Sequence, residues 1–104
     1  MSFTPAQECA ARALRDRDPE ENLIILVSKE DVRHVLHIIG ATIAQEAECY
    51  GGTWKFPDGS LLCIRRFTDP PIDLESGYNV VVCNGGRNPN SADRNGIEAW
   101  KNAS

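Results

Sequence analysis

No apolar run in the 104 residues approaches the roughly 18 that a bilayer crossing needs, so no membrane span is expected. The opening residues Met1-Ser2-Phe3-Thr4-Pro5 hold no basic segment followed by an apolar one, and no secretory signal is visible. Basic side chains are in deficit: 11 Lys and Arg stand against 15 Asp and Glu, a formal charge of −4. Phosphate contacts need a basic surface, so this balance argues against a general nucleic-acid binder and leaves a protein partner open. The sequence has no Gly-rich Lys-Ser/Thr loop, no Gly-x-Gly-x-x-Gly and no Gly-x-Ser-x-Gly elbow. Nucleotide cradles and serine-hydrolase chemistry therefore lack their usual carriers. Cys9, Cys49, Cys63 and Cys83 show no paired spacing, and the one short pair of metal-ligand type is His34 with His37. Two imidazoles without a Cys or carboxylate motif do not make a tetrahedral set, so neither metal nor cofactor is expected. An even cysteine count allows two disulfides. Without a secretory context the expectation is four reduced thiols, mostly buried, in a cytoplasmic protein.

What is present reads as one domain over residues 1–104, long enough for a single core. Trp54-Lys55-Phe56-Pro57-Asp58-Gly59-Ser60-Leu61-Leu62-Cys63-Ile64 predicts a β-hairpin. Pro57 presets the first turn position, Asp58 suits the second, and Gly59 supplies a positive φ. That closure sets Phe56 opposite Ser60 and Trp54 opposite Leu62. It places Trp54, Phe56, Leu62 and Ile64 on one face and Lys55, Cys63 and Arg65 on the other.

Upstream, Thr4-Pro5-Ala6-Gln7 has the form of a capping box with proline at the first helical position. Ala6, Cys9, Ala10, Ala13 and Leu14 follow as a narrow stripe of small side chains. Leu23-Ile24-Ile25-Leu26-Val27 predicts a strand covered on both faces. Ser28 is expected to cap a second helix, with Asp31 as its box partner and a stripe from Val32 to Ala47. Gly40 would mark its close approach to the sheet, and Gly51-Gly52 would stop it. Tyr78 to Cys83 predicts a second buried strand, and a last short helix is expected from Asn95, with Glu98 as box partner and Trp100 as apolar anchor. The order α-β-α-β-β-β-α gives an α/β or α+β fold: a sheet of about four strands with a central hairpin and helices against it. The two buried strands are expected to run parallel.

Three surfaces qualify as sites. Ligands of open sheets bind beyond the carboxyl ends of parallel strands, which here brings Ser28 and Lys29 near Asn84, Gly85, Gly86 and Arg87. Backbone N–H groups and two cations there would suit a small anion. Arg65 and Arg66, with Lys55 on the hairpin and Trp100 near the C-terminus, make a candidate protein interface, since Arg and aromatic residues are common binding hot spots. A homodimer through the exposed edge of the hairpin is the third. His34 and His37 with Glu30 read as a solvated helix face.

The stretch 23–84 resembles part of the ATPase domain of phage large terminases. The resemblance rests on residues 23–27, Phe56-Pro57-Asp58-Gly59-Ser60, Asp69-Pro70 and Val80-Val81-Val82-Cys83. It implies an α/β topology. It implies no ATP hydrolysis, because no Gly-rich Lys-Ser/Thr loop precedes the first strand and Cys83-Asn84 stand where the family carries metal-binding acids. The absence of an assembled catalytic set leads to a non-catalytic binding protein of the inhibitor, immunity or adaptor type, phage-encoded proteins among them. The alternative is a small binding protein or enzyme for an anionic ligand, a nucleotide or phosphometabolite, using the Ser28-Lys29 and Asn84-Arg87 loops.

Overall fold

The computed structural model describes residues 3–85 and 88–104. It has helices α1 (Pro5–Asp16), α2 (Val32–Ile43) and α3 (Ser91–Ala103), and strands β1 (Leu23–Val27), β2 (Glu48–Tyr50), β3 (Thr53–Lys55), β4 (Leu61–Arg66) and β5 (Asn79–Cys83). The strands form one mixed sheet in the order β2-β3-β4-β1-β5. The fold is α+β, with five strands where about four are expected from sequence.

β1 sits between two parallel neighbours. Leu23 is level with Leu62 and Asn79, and Val27 is level with Arg66 and Cys83. All five of its side chains are buried, because each sheet face carries its own apolar layer. Leu23, Ile25 and Val27 pack with α1 and α2 through Ala6, Ala10, Val35, Ile39 and Ile43. Ile24 and Leu26 face the other way, toward Cys63, Phe67, Tyr78 and Trp100. The two-sided cover is why a continuous apolar run is stable here as a strand.

The hairpin forms as its turn chemistry requires. Trp54 pairs with Leu62, the Phe56 N–H donates to the Ser60 carbonyl at 3.0 Å, and Gly59 has φ +91°. The capping box of α1 is also formed, by Thr4 and Gln7. Gly40 passes Trp54 with room for a methyl group, since a Cβ there would lie 3.9 Å from the indole.

Five expectations are corrected. α2 ends at Ile43, and residues 48–50 turn back as β2 against β3. Gly51 and Gly52, with φ +55° and +84°, are the two-residue turn between those strands and do not stop the helix. The hairpin therefore has no open edge: β2 covers β3, β1 covers β4, and the edge strands are β2 and β5. Ser28 does not cap α2. Its hydroxyl donates to Asp31, the N-cap residue, at 2.9 Å. α3 starts at Ser91 with Asn90 as N-cap and Asp93 closing the box, four residues before Asn95. The fifth correction concerns the thiols. Cys9 and Cys83, 74 positions apart in sequence, are joined in a disulfide with Cα atoms 5.7 Å apart, while Cys49 is exposed and Cys63 is buried. Closing so long a loop typically contributes about 2–4 kcal/mol.

Two polar clusters seal the end of the sheet where the parallel strands begin. Buried Asn22 accepts the Leu61 N–H on its Oδ1 at 2.9 Å and donates from Nδ2 to the Gly77 carbonyl at 3.0 Å and the Ser76 hydroxyl at 2.8 Å. At the hairpin tip, Arg17 lies 4.0 Å over the Phe56 ring, donates to the Ser60 hydroxyl and pairs with Asp58 at 3.9 Å. Glu20, held at φ +67°, donates its N–H to Asp58 at 3.0 Å.

Replacing Asn22 with Ala leaves the Leu61 N–H and Gly77 carbonyl buried without partners, and should cost about 2–4 kcal/mol in urea unfolding. The Ser60 hydroxyl, followed by the Ser60 N–H, holds the Asp58 carboxyl below the ordinary carboxylate range. A pKa lower in the folded state than in the unfolded one adds stability above the unfolded value, near about pH 4, which is lost as pH falls through the folded value. Melts across that range should show the gap between wild type and Asp58→Asn closing in acid.

Candidate functional site

The shared register ends β1, β4 and β5 abreast, at Val27, Arg66 and Cys83. Three chain segments leave the sheet together there: Ser28-Lys29, Phe67-Thr68 and Asn84-Gly85. The start of α3 faces them. A cleft of about 240 Å³ lies between Ser28, Lys29, Glu30, Arg66, Asn90 and Asp93, so two cations and two carboxylates share its lining. It adjoins a hollow of about 440 Å³ reached by Asn84, Asn88 and Pro89. Lys29 and Arg66 also border a shallower depression of about 410 Å³ around the first turns of α2, where Val32 and Leu36 form an apolar floor and Arg33 adds a third cation.

The loop after β5 is held by close packing. Gly85 has φ +66°, and a Cβ there would lie 2.6 Å from Asp31 Oδ2 and 3.9 Å from the Ala6 methyl. Asp31 is itself buried. The Ser28 hydroxyl, the Asp31 carboxylate and Gly85 thus pack the exit of β1 against the exit of β5, two residues beyond the bridge from Cys83 to α1. On the opposite side, α3 comes down on the chain leaving β4. A Cβ on Gly96 would lie 1.8 Å from the Phe67 carbonyl oxygen, so only glycine permits this approach. The Trp100 Nε1 donates to the Asp69 carbonyl at 2.9 Å, and the Tyr78 hydroxyl donates to the Trp100 carbonyl at 3.2 Å. Burial pushes the Tyr78 phenol above its usual range, followed by the nearby Asp73 charge.

The residues expected to act thus divide. Ser28, Lys29, Asn84 and Gly85 do gather at the strand ends, where Arg66 joins them; Gly86 and Arg87 lie outside the described residues. Ser28 and Gly85 are committed to the turn structure. Trp100 is fully buried and is removed from the candidate interface, because its indole is the anchor of α3. Arg65 is half-buried and donates to the Gly52 carbonyl at 3.2 Å, the Ile64 carbonyl at 2.9 Å and the Thr53 hydroxyl at 2.7 Å, so it fastens β4 to the β2–β3 turn. Lys55 is exposed in a separate hollow beside Glu46, Glu48 and Pro57. Arg66 alternates to the opposite face from Lys55 and Arg65, which separates the three cations. Arg66 remains more than half exposed and pairs with Asp69 at 3.4 Å. Sequence reasoning missed Arg33, whose spacing from Lys29 by four residues was a readable signal. His34 and His37 are exposed on α2. Among the described residues no three His, Cys, Asp or Glu side chains are grouped to hold a metal ion, and no helix is long and apolar enough to cross a membrane.

Comparison with known proteins gives no match: no family model fits the chain, and no curated protein or solved structure is similar to it.

Gly96→Ala tests how α3 walls the cleft. Alanine favours a helix interior by about 1 kcal/mol over glycine. Here the variant should instead melt several degrees lower, with altered Trp100 fluorescence, because α3 must lift from Phe67. A higher melting temperature would contradict that packing.

Proposed function

We propose that this chain acts by non-catalytic binding of a protein partner, which presents an acidic, partly apolar segment to the patch of Lys29, Arg33 and Arg66. One observation carries this reading: a chain of net charge −4 gathers three cations round the apolar floor of Val32 and Leu36. Arg66 pairs with Asp69 at 3.4 Å and stays more than half exposed. Arginine and lysine rimming an apolar depression supply both of the terms that binding needs: desolvation at the floor and charge pairing at the edge. The patch stands on the end of a rigid sheet and the first turns of a packed helix, so little ordering is needed on this side. This is the behaviour of an inhibitor, immunity or adaptor protein, including those that phages encode. The terminase resemblance contributes no functional residue to it, and the disulfide keeps a cytoplasmic location out of the proposal, because such bridges belong to oxidising surroundings.

A second reading has its own support, because Lys29 and Arg66 also border the cleft at the start of α3. There they would hold a small anion such as a phosphate group, against the opposing charge of Glu30 and Asp93 in the same lining, which is why the patch is preferred.

The test is the variant Lys29→Glu, Arg33→Glu, Arg66→Glu. Its melting temperature should stay close to wild type, since all three side chains are exposed. Anisotropy of a labelled peptide with Asp and Glu around Leu and Phe should show saturable binding to wild type, weakening with salt, and a loss of roughly tenfold or more in the variant. Equal peptide binding by both proteins would sink the patch reading. Melts with inorganic phosphate and nucleotides separate the two readings: a saturable rise in wild type that the peptide does not reproduce supports the cleft.

A further inference from the structure

We propose that the bridge between Cys9 and Cys83 is a redox latch on the basic patch. A dithiol opens it in the folded protein, the first turns of α1 come away from β5, and the turn that carries Lys29 loses its support. The effect on binding rests on the patch reading above; the release of α1 does not.

α1 is fastened differently at its two ends. Just past its C-terminal end, Arg17 lies over the Phe56 ring and donates to the Ser60 hydroxyl. Toward the N-terminus its fully buried side chains are Ala6 and Ala10, and methyl groups alone bury little apolar area. Gln7 adds an exposed hydrogen bond to the His34 carbonyl at 2.9 Å. The bridge is therefore the main tie between these turns and the edge strand. Once it is open, the contact left there is a thiol, a weak donor, 3.7 Å from the Val82 carbonyl. The remaining frame has its own supports. β1 keeps its parallel ladders to β4 and β5, and the apolar layer around Trp100, Tyr78 and Phe67 includes neither bridge cysteine.

The two sulfurs differ in access. Cys83 is buried, whereas Cys9 is half-buried and lines a groove of about 290 Å³ between α1 and β5. Arg12, Arg17, Asp16 and Glu21 border that groove, so charge of neither sign bars entry. A thiolate entering it attacks Cys9 Sγ. The S–S bond breaks, its electron pair passes to Cys83 Sγ, and that sulfur takes a proton and stays in the core as a small apolar thiol. The second thiolate of the reductant then attacks its own sulfur in the mixed disulfide and expels Cys9, which takes the other proton. The dithiol leaves as a disulfide, having supplied both electrons.

Release reaches the patch by direct packing. Gly85, two residues beyond Cys83, sits between the Ala6 methyl and the Asp31 carboxylate, and Asp31 accepts from the Ser28 hydroxyl at 2.9 Å. When the turn of α1 that carries Ala6 withdraws, the loop after β5 loses one wall, and the Ser28–Asp31 turn loses that loop. Lys29 belongs to this turn, so its place relative to Arg33 and Arg66 is no longer set. A partner then has to order the cation as it binds, and affinity falls. The patch holds its partner in oxidising surroundings and gives it up in reducing ones.

The experiment is hydrogen exchange read by mass spectrometry on the full chain, oxidised and after dithiothreitol, carrying Cys49→Ser so that its exposed thiol cannot exchange into the bridge. Reduction should speed exchange roughly tenfold or more over residues 5–13 and 28–33, while 61–66 and 91–103 keep their rates. Binding of the acidic peptide should weaken about fivefold and return on reoxidation. Cys9→Ser should match the reduced protein and ignore dithiothreitol. Should that variant fail to fold, the reversible reduction of the parent chain still decides. A bridge that resists dithiothreitol in the folded protein, exchange that quickens evenly over all segments, or peptide binding indifferent to reduction would each overturn the latch. Local release of α1 in a chain that never binds the peptide, oxidised or reduced, would instead sink the patch reading and leave the release of α1 standing.

Discussion

Asn22 holds the beginnings of three strands at one level, and the rest of the molecule follows from that alignment. Its backbone carbonyl takes the first N–H of β5, its side-chain oxygen takes the first N–H of β4, and its amide N–H groups reach residues 76 and 77. A buried amide makes these bonds only in one register, because shifting either neighbour by one residue would strand polar groups in the core and reverse the faces of its side chains. Equal starting levels give equal finishing levels. The cluster of loops at Val27, Arg66 and Cys83 is thus a consequence of an asparagine some five residues away at the opposite end.

The two ends of the sheet differ in kind. At the first, Arg17, Phe56, Asp58, Ser60 and the Glu20 N–H close on one another, so cation, carboxylate and hydroxyl are all used internally. At the other, Lys29, Arg33 and Arg66 face solvent over Val32 and Leu36. The same residue types therefore serve cohesion at one end and remain at the surface at the other. The difference lies in geometry: the first end has a tight turn whose Asp and Ser point back into the fold, while strands that finish abreast spread their exits apart.

Local signals carried the legible part of the sequence. The turn at Pro57-Asp58-Gly59, the box of Thr4 and Gln7, and the apolar run of β1 each involve residues within a few positions, and all three formed. Gly51-Gly52 was equally readable as a two-residue turn, but an apolar stripe of helical period extends as far as Ala47 and masks the short strand behind it. The remainder depends on contacts distant in sequence. Cys9 meets Cys83 only because a helix of small residues crosses the β5 edge, and nothing in their spacing marks the bridge. Gly96 looks like a weak point of a helix until the Phe67 carbonyl beneath it is known. Of the candidate site residues, Lys29 and Asn84 were placed correctly by strand-end reasoning. Arg65 and Trp100 failed as surface residues because residue type alone cannot distinguish a side chain offered to solvent from one folded onto a neighbouring carbonyl.

The patch rests on a frame fastened at both ends of the parallel strands. Asn22 sets where they begin. Where they finish, the bridge from Cys9 to Cys83 fastens β5 to α1, and Gly85 packs against Asp31 in the turn that carries Lys29. Arg33 stands on the first turns of α2, whose Val35 and Ile39 are buried against the same sheet face. The backbone beneath the three cations is therefore fixed by packing that involves none of their side chains, so their spacing is set before a partner arrives and little order remains to be lost on binding.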